Sequence, residues 1–412
     1  MSEIELTIES VGVHGDGVAH VNGKPLYVPF SAPGDRLKAR VTKDRGEIVE
    51  VLSPGQRAQP PCRHFGDCGG CSLQHLSSAA YAAAKTGWLA GALASHGFRD
   101  PPIAKLVRLA PGTRRRARLA LKRGQSASAG FHARMSHRVV DMRECLVLHP
   151  DLVAQVEPLR RLASDILPPG GEGHASMTRT DGGVALLLDL PEAPGLAALE
   201  TLARFAAAQN LARLSWRADG TVAPVTQRRP ARIALAGVAV DLPEEAFLQA
   251  SEEADRVLAG AVREAVGGAK RIADLYAGLG TFSFALAPAA SVHAVEGDAP
   301  SLKALEAAAG RAQLSQVSAE QRDLARRPLS AEELSRFDAV VFDPPRAGAA
   351  DQSRALAASK VPVVVAVSCS PASFARDART LADDGYALER VQPFDTFVWS
   401  ANLEIVARFV RR

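Results

Sequence analysis

Near the start of the chain, apolar residues alternate with polar ones over short stretches, as in Ile4, Leu6 and Ile8 and in the runs 36–41 and 47–52. Turns carrying glycine or proline separate them: Gly15-Asp16-Gly17, Asn22-Gly23 and Pro33-Gly34. A period of two broken at this spacing predicts short strands, and strands so close together predict a small β-barrel over residues 3–53. The stretch from Ser53-Pro54-Gly55 to Pro60-Pro61 interrupts the pattern and sets a first boundary.

An alanine-rich stretch from Ser77 to His96, closed by Gly97, predicts a helix. Residues 103–240 mix short apolar strands, 184–188 and 233–240, with a helix near 196–208. From about 244 the pattern becomes regular. A helix over 250–266 leads into β-like runs at 271–275, 291–295, 338–342 and 361–367, alternating with helices at 300–311 and 371–382. Such alternation predicts a mostly parallel sheet covered by helices on both faces.

Composition narrows the class. A chain of 412 residues with 47% hydrophobic and 23% charged residues is an ordinary globular composition, long enough for two or three domains. Apolar runs such as Val361–Val367 fall short of a membrane span, and the start is acidic (Glu3, Glu5, Glu9), so the expected compartment is the cytoplasm. A net charge of +4 does not by itself identify a polyanionic partner. Five cysteines are too few for a disulfide scaffold and point to metal ligation or catalysis.

The regular region carries candidate chemistry at its strand ends. Residues 271–281 run from a strand into the glycine-rich loop Gly278-Leu279-Gly280 and then a helix, a turn that lets backbone approach a ligand. Glu296 ends the second strand, where a carboxylate can accept hydrogen bonds from ribose hydroxyls. Asp323 follows the third strand and Asp343 ends the fourth. The series Asp274, Glu296, Asp323 and Asp343-Pro344-Pro345-Arg346 resembles the S-adenosylmethionine-dependent methyltransferase fold across residues 244–412.

A buried strand, 363–368, delivers Cys369 to its carboxyl end, and Pro371 suits the first turn of the next helix. A helix start stabilises a thiolate, so a lowered pKa is expected for Cys369. C5 of a pyrimidine is a poor nucleophile toward a sulfonium methyl; thiolate addition at C6 makes C5 enolate-like, and a base must later take the C5 proton. Glu404, in Ser400-Ala401-Asn402-Leu403-Glu404, is a candidate for that base, although taken alone it reads as a surface carboxylate on an edge strand.

Together, the segment 274–280, Asp343–Gly348, Ser368-Cys369-Ser370 and the late Glu404 resemble the uracil-C5 RNA methyltransferase family. The resemblance implies Cys369 as nucleophile, Glu404 as base, and S-adenosylmethionine contacts from Gln249, Tyr276, Thr281, Glu296, Asp323 and Asp343. Two positions depart from the family pattern: Ser251 replaces an asparagine in Phe247-Leu248-Gln249-Ala250-Ser251, and Asn402 replaces a histidine two residues before the base.

Cys62, Cys68 and Cys71 stand in a Cys-x5-Cys-x2-Cys run, with Cys145 the remaining cysteine before Cys369. Four thiolates can hold zinc or an iron–sulfur cluster, and spacing does not separate the two. In the family, the pattern Cys68-Gly69-Gly70-Cys71 followed by Gln74-His75 marks a branch of largely ribosomal-RNA enzymes, which implies a 4Fe-4S cluster. The basic run Arg114-Arg115-Arg116-Ala117-Arg118, with Lys122, Arg123, His132, Arg134 and Arg138 beyond, predicts a strand with a basic face for phosphate contacts. Residues 1–53 resemble a TRAM domain, an RNA-binding module of the oligonucleotide-binding type.

The resulting expectation is a Rossmann-like α/β methyltransferase domain at 244–412, a central α+β domain at 56–243 with the cluster and basic surface, and a TRAM-like barrel at 1–55. The expected partner is RNA, ribosomal before transfer RNA, with no membrane and a monomeric chain. Two alternatives remain open at the level of sequence. A cytosine-C5 enzyme would carry a second cysteine where Arg346 stands. A non-catalytic RNA-binding assembly protein would have no chemical need for both Cys369 and Glu404.

Overall fold

The computed structural model describes residues 2–412. At its N-terminus β1 (Ser2–Thr7), β2 (Ser10–Val11), β3 (Gly17–Val21), β4 (Lys24–Val28), β5 (Arg36–Thr42) and β6 (Arg45–Ser53) form one sheet in the order β1-β5-β6-β4-β3-β2. Alternation puts Ile8, Ala19, Leu26, Val28 and Leu37 into a small core. Asn22 and Gly23, at φ +52° and +76°, make the two-residue turn between β3 and β4, a conformation that asparagine and glycine tolerate.

The central region contains α1 (Ser78–Ser95), β7 (Val107–Arg108), β8 (Arg116–Arg123), β9 (Ala127–Gly130), α2 (Pro150–Val153), α3 (Val156–Ile166), β10 (Glu172–Thr180), β11 (Gly183–Asp189), α4 (Leu196–Ala208), β12 (Arg213–Ala218), β13 (Thr221–Gln227), β14 (Arg232–Leu235) and β15 (Val238–Asp241). A second six-stranded sheet has the order β13-β12-β11-β10-β8-β9. Leu159 and Leu162 of α3 and Leu202 of α4 pack with Leu119, Leu121, Leu186 and Leu188 of its strands. The apolar stretch 233–240, expected as one strand, is instead a hairpin of β14 and β15. Ala236 (φ +47°) and Gly237 (φ +85°) reverse the chain between them.

The third region comprises α5 (Glu252–Val266), β16 (Arg271–Leu275), α6 (Thr281–Leu286), β17 (Ser291–Glu296), α7 (Ala299–Arg311), β18 (Val317–Gln321), α8 (Ala331–Leu334), β19 (Ala339–Phe342), α9 (Ala350–Ala358), β20 (Val363–Ser368), α10 (Pro371–Asp383), β21 (Tyr386–Asp395) and β22 (Glu404–Arg411). Its sheet runs β18-β17-β16-β19-β20-β22-β21-β7. The first five strands are parallel; β22 is antiparallel to β20 and β21. Near-continuous apolar strands such as β19 and β20 are what a sheet buried on both faces demands. Strand order reverses between β16 and β19, which opens a crevice at the carboxyl ends of these strands.

Earlier segments reach into this last sheet. β7 pairs with the end of β21, and α1 packs against α10. The N-terminal sheet is tied in as well: Trp88 Nε1 of α1 donates to the Val11 carbonyl at 2.7 Å. Among the described residues no helix is long and apolar enough to cross a membrane.

Candidate active site

At the crevice, β16 is followed directly by Tyr276, held at φ +62° in the left-handed region that a tyrosine seldom adopts. Gly278 and Gly280 continue the turn at φ +55° and +94°. A Cβ on Gly280 would lie 2.8 Å from the Phe284 ring and 3.1 Å from Leu305, so glycine is required there for close packing as well as for φ. The Glu296 carboxylate accepts from the backbone N–H of Gly278 (2.8 Å), Gly297 (2.7 Å) and Asp298 (2.8 Å), locking the loops after β16 and β17 together. Asp323 lies beside Gly297 and accepts from Ala325 N at 3.0 Å. Thr281 begins α6 and lines a cleft of about 310 Å³ shared with the β14–β15 turn and α5.

Gln249 closes the crevice from the other side. It is buried, its Nε2 donates to Asp343 Oδ2 at 3.4 Å, and its Oε1 has no partner. A buried amide oxygen without a donor is an acceptor waiting for a ligand. Asp274, fully buried beneath, accepts from Ser283 Oγ at 2.6 Å and has one oxygen unpartnered; burial pushes its carboxyl up to about 7. Ser251, the departure from asparagine, caps α5: its side chain accepts from Ala254 N at 3.1 Å.

Sheet register brings the two candidate reactive residues together. Ser368 of β20 pairs with Ile405 of β22, so the next rung sets Cys369 beside Glu404, and Asp343 directly follows the neighbouring β19. Glu404 is 3% exposed and lies on an interior strand, which corrects the edge-strand surface reading. Burial, and the nearby Asp343, hold its carboxyl well above the usual range. Cys369 precedes Ser370, the N-cap of α10. The expected lowering of its pKa is overturned: burial first, then Glu404 and Asp343, push the thiol up to about 11, with Arg346 acting the other way.

The four other cysteines are all free and half-buried, and they line one cavity of about 370 Å³ together with Phe65, Phe131 and Arg114. Burial pushes Cys71 up to about 12, and the neighbouring thiols add to the shift. The thiols surround the cavity; among the described residues no three His, Cys, Asp or Glu close on a single metal ion. Phe397, Val398, Ser400 and Asn402, from the loop that leads to Glu404, form part of the same wall.

The basic run divides. Arg115 is no phosphate ligand, since it is buried and paired with Asp255 at 2.6 Å. Arg116 donates to the Leu248 carbonyl at 3.0 Å and lies over the Phe247 ring, while Arg115 N donates to the Ala250 carbonyl at 2.9 Å. These contacts hold the segment that carries Gln249. Arg118 and Arg138 remain exposed, although each is paired with an aspartate. The sequence reading missed Tyr81, Lys85 and Asp395, buried beneath the loop before Glu404; a single lysine in an alanine-rich helix carries no signal of a partner 310 residues away.

Residues 1–50 match the TRAM domain, and residues 232–411 match the family described as tRNA (Uracil-5-)-methyltransferase. An uncharacterised RNA methyltransferase of Brucella suis is 41% identical over 98% of this chain and 97% of its own length. The 23S rRNA (uracil(1939)-C(5))-methyltransferase RlmD of Chromohalobacter salexigens is 35% identical over 98% of this chain and 89% of its own. Among solved structures, the tRNA (uracil-54, C5)-methyltransferase of Pyrococcus abyssi, in complex with S-adenosyl-L-homocysteine, is similar in fold, with TM-score 0.77, 22% identity, and coverage of 99% of this chain and 100% of that one.

Proposed function

Because the chain belongs to the RNA uracil-C5-methyltransferase family, we propose that it methylates C5 of a uridine in ribosomal RNA, with Cys369 as nucleophile and Glu404 as base. The observation that carries this reading is the strand register that sets Cys369 beside the buried Glu404. The Cys369 thiolate adds to C6, forming an S–C6 bond and moving the displaced electron pair toward C5. S-adenosylmethionine, when bound, would supply the methyl group as a sulfonium, the C5–methyl bond forming as the S–methyl bond breaks and S-adenosyl-L-homocysteine leaves. Glu404 then takes the C5 proton, and the electrons of that C–H bond expel the thiolate. A carboxyl held above its usual range is a stronger base once ionised, and burial keeps water from competing for it.

The residues present suit that donor. The unpartnered Gln249 Oε1 offers an acceptor, Asp343 a carboxylate, and Glu296 and Asp323 stand at the ends of the next two strands, with Tyr276 and Thr281 flanking the glycine turn. The methyl-depleted S-adenosyl-L-homocysteine in the Pyrococcus abyssi structure supports the assignment.

Ribosomal RNA is preferred to transfer RNA because the full-length likeness to a 23S rRNA enzyme reaches 35% identity. The TRAM domain and exposed arginines such as Arg118 would hold the phosphates, and the target uracil must leave its stack for C6 to be reached. Cys62, Cys68, Cys71 and Cys145, four soft donors lining one cavity, would hold a 4Fe-4S cluster. Bound there, it would tie the segment 62–71 to the loop at 145 as a structural element.

The test is covalent trapping. Substrate RNA carrying 5-fluorouridine has no C5 proton to lose, so it should leave an SDS-stable protein–RNA adduct that depends on S-adenosylmethionine and is absent from Cys369→Ala. No adduct on an RNA that the protein demonstrably methylates would sink the mechanism. Mapping 5-methyluridine in ribosomal and transfer RNA from cells lacking the gene, with and without its restoration, identifies the substrate.

A further inference from the structure

Lys85 is completely buried, and so is its partner Asp395. Its ammonium donates to Asp395 Oδ1, to the Asn402 carbonyl at 2.8 Å and to the Phe397 carbonyl at 3.3 Å. Tyr81, one helical turn earlier on α1, donates from its hydroxyl to Asp395 Oδ2 at 2.7 Å and accepts from Trp399 N at 2.9 Å. Trp399 sits at φ +59°, and its carbonyl accepts from Ser72 N (2.9 Å) and Leu73 N (3.1 Å). The loop so held, residues 396–403, joins β21 to β22 and ends at Glu404.

Burying a lysine is costly unless every donor is used, and apolar residues commonly stabilise a core as well as a buried ion pair does. Here the donors are all spent on one object. One ammonium grips both limbs of the loop: Asp395 at the end of β21, and Asn402 two residues before the carboxylate. Tyr81 fixes the middle at Trp399.

We propose that Tyr81 and Lys85 are positioning residues for Glu404, acting through Asp395 and the 397–402 backbone to aim its carboxylate at the C5 proton. The inference rests on the reading of Glu404 as the base. It makes a specific demand on the reaction. Thiolate addition and methyl transfer depend on Cys369 and the cofactor crevice, whereas proton removal depends on the aim of Glu404. With the loop loosened, the first two steps proceed and the third lags. The S–C6 bond then persists, and the methylated uridine stays attached to Cys369.

The experiment uses the full chain, unsubstituted substrate RNA and methyl-labelled S-adenosylmethionine, with SDS-stable labelled adduct and turnover read together. Lys85→Met should lower kcat by about 10- to 100-fold with KM for RNA within about twofold, and should accumulate labelled adduct as Glu404→Gln does. Tyr81→Phe, which keeps the ring, should move both readouts the same way by less. Tyr81→Phe decides the matter if Lys85→Met does not fold. Turnover lost without adduct, or unchanged turnover, in the folded variants would overturn the proposal. Wild type failing to trap on 5-fluorouridine RNA would instead overturn the underlying reading of Cys369.

Discussion

Cys369 and the cysteines lining the cavity, Cys62, Cys68, Cys71 and Cys145, are all half-buried, and burial raises the thiols of Cys68, Cys71, Cys145 and Cys369 alike, yet their surroundings are built in opposite ways. The neighbours of Cys369 are set by regular structure: β20 pairs with β22 residue by residue, and β19 lies on its other side. The cavity cysteines sit on irregular segments joined by isolated bridges, such as Cys68 with Ala133 and Arg114 with Leu148. A sheet that satisfies its backbone must place Cys369 beside Glu404, whereas no such ladder sets the spacing of the other four thiols. The sheet end should therefore govern chemistry, and the cavity should govern stability.

The strongest challenge to that division is Cys369→Ala, which should cut methylation by at least about 10³-fold while leaving thermal unfolding within about 2 °C of wild type. A residual rate only tenfold down would show that the sheet end does not carry the covalent step. The complementary variant, Cys71→Ser, should lose bound iron and sulfide and about 3 kcal/mol of stability, yet still trap 5-fluorouridine RNA at a rate within about tenfold of wild type. If Cys71→Ser abolished trapping as fully as Cys369→Ala, the two regions would be one functional unit and the contrast would fail. Metal analysis of the anaerobically purified chain belongs with this pair: about four irons per chain are expected, and stoichiometric zinc would replace the cluster assignment.

The same contrast explains what could be read from the sequence. Strands 271–275 and 291–295, and the helix that follows Cys369, were legible because buried parallel strands are continuous apolar runs and their helices have clear caps. The hairpin at 232–241 was not, because its turn is Ala236-Gly237 inside an apolar stretch and alanine gives no sign of a positive φ. Glu404 read as an edge residue because β22 follows β21 in sequence but is inserted between β21 and β20 in space. Arg115 read as part of a basic face because its partner Asp255 comes from a different region. The parallel strands and the carboxylates at their ends were the more legible part. The Lys85 network, built across long sequence separations, could not be seen at all.

The raised thiol gives a finer test of the sheet end. Only the thiolate attacks, and burial with Glu404 and Asp343 pushes Cys369 up to about 11. The thiolate fraction of the free protein therefore climbs with pH, and the second-order rate of adduct formation should rise about tenfold per pH unit through the neutral range. Arg346 opposes the rise in pKa, so Arg346→Gln should move the profile to higher pH and slow trapping several-fold at pH 7. A flat profile in the neutral range would mean that the thiolate is already formed and that the carboxylates do not act on it.

The smallest effect probes whether the loop carrying Gln249 shares the rigidity of the sheet end. Ser251 stands where the family pattern has asparagine, and both residues are good helix caps; its hydroxyl accepts from Ala254 N at the start of α5. Two residues before it, Gln249 meets Asp343, and the guanidinium and backbone of Arg115, the residue just before β8, hold the segment. Ser251→Ala should cost about 1 kcal/mol, read as a lower denaturant midpoint at unchanged slope, while Ser251→Asn should stay within about 0.5 kcal/mol of wild type. Because the arginine contacts persist in both variants, affinity for S-adenosylmethionine should fall less than about fivefold in Ser251→Ala. A larger loss of affinity with little loss of stability would show that the cap, rather than the Arg115 and Arg116 contacts, aims Gln249, and would move this part of the crevice from the rigid side of the comparison to the loop-built side.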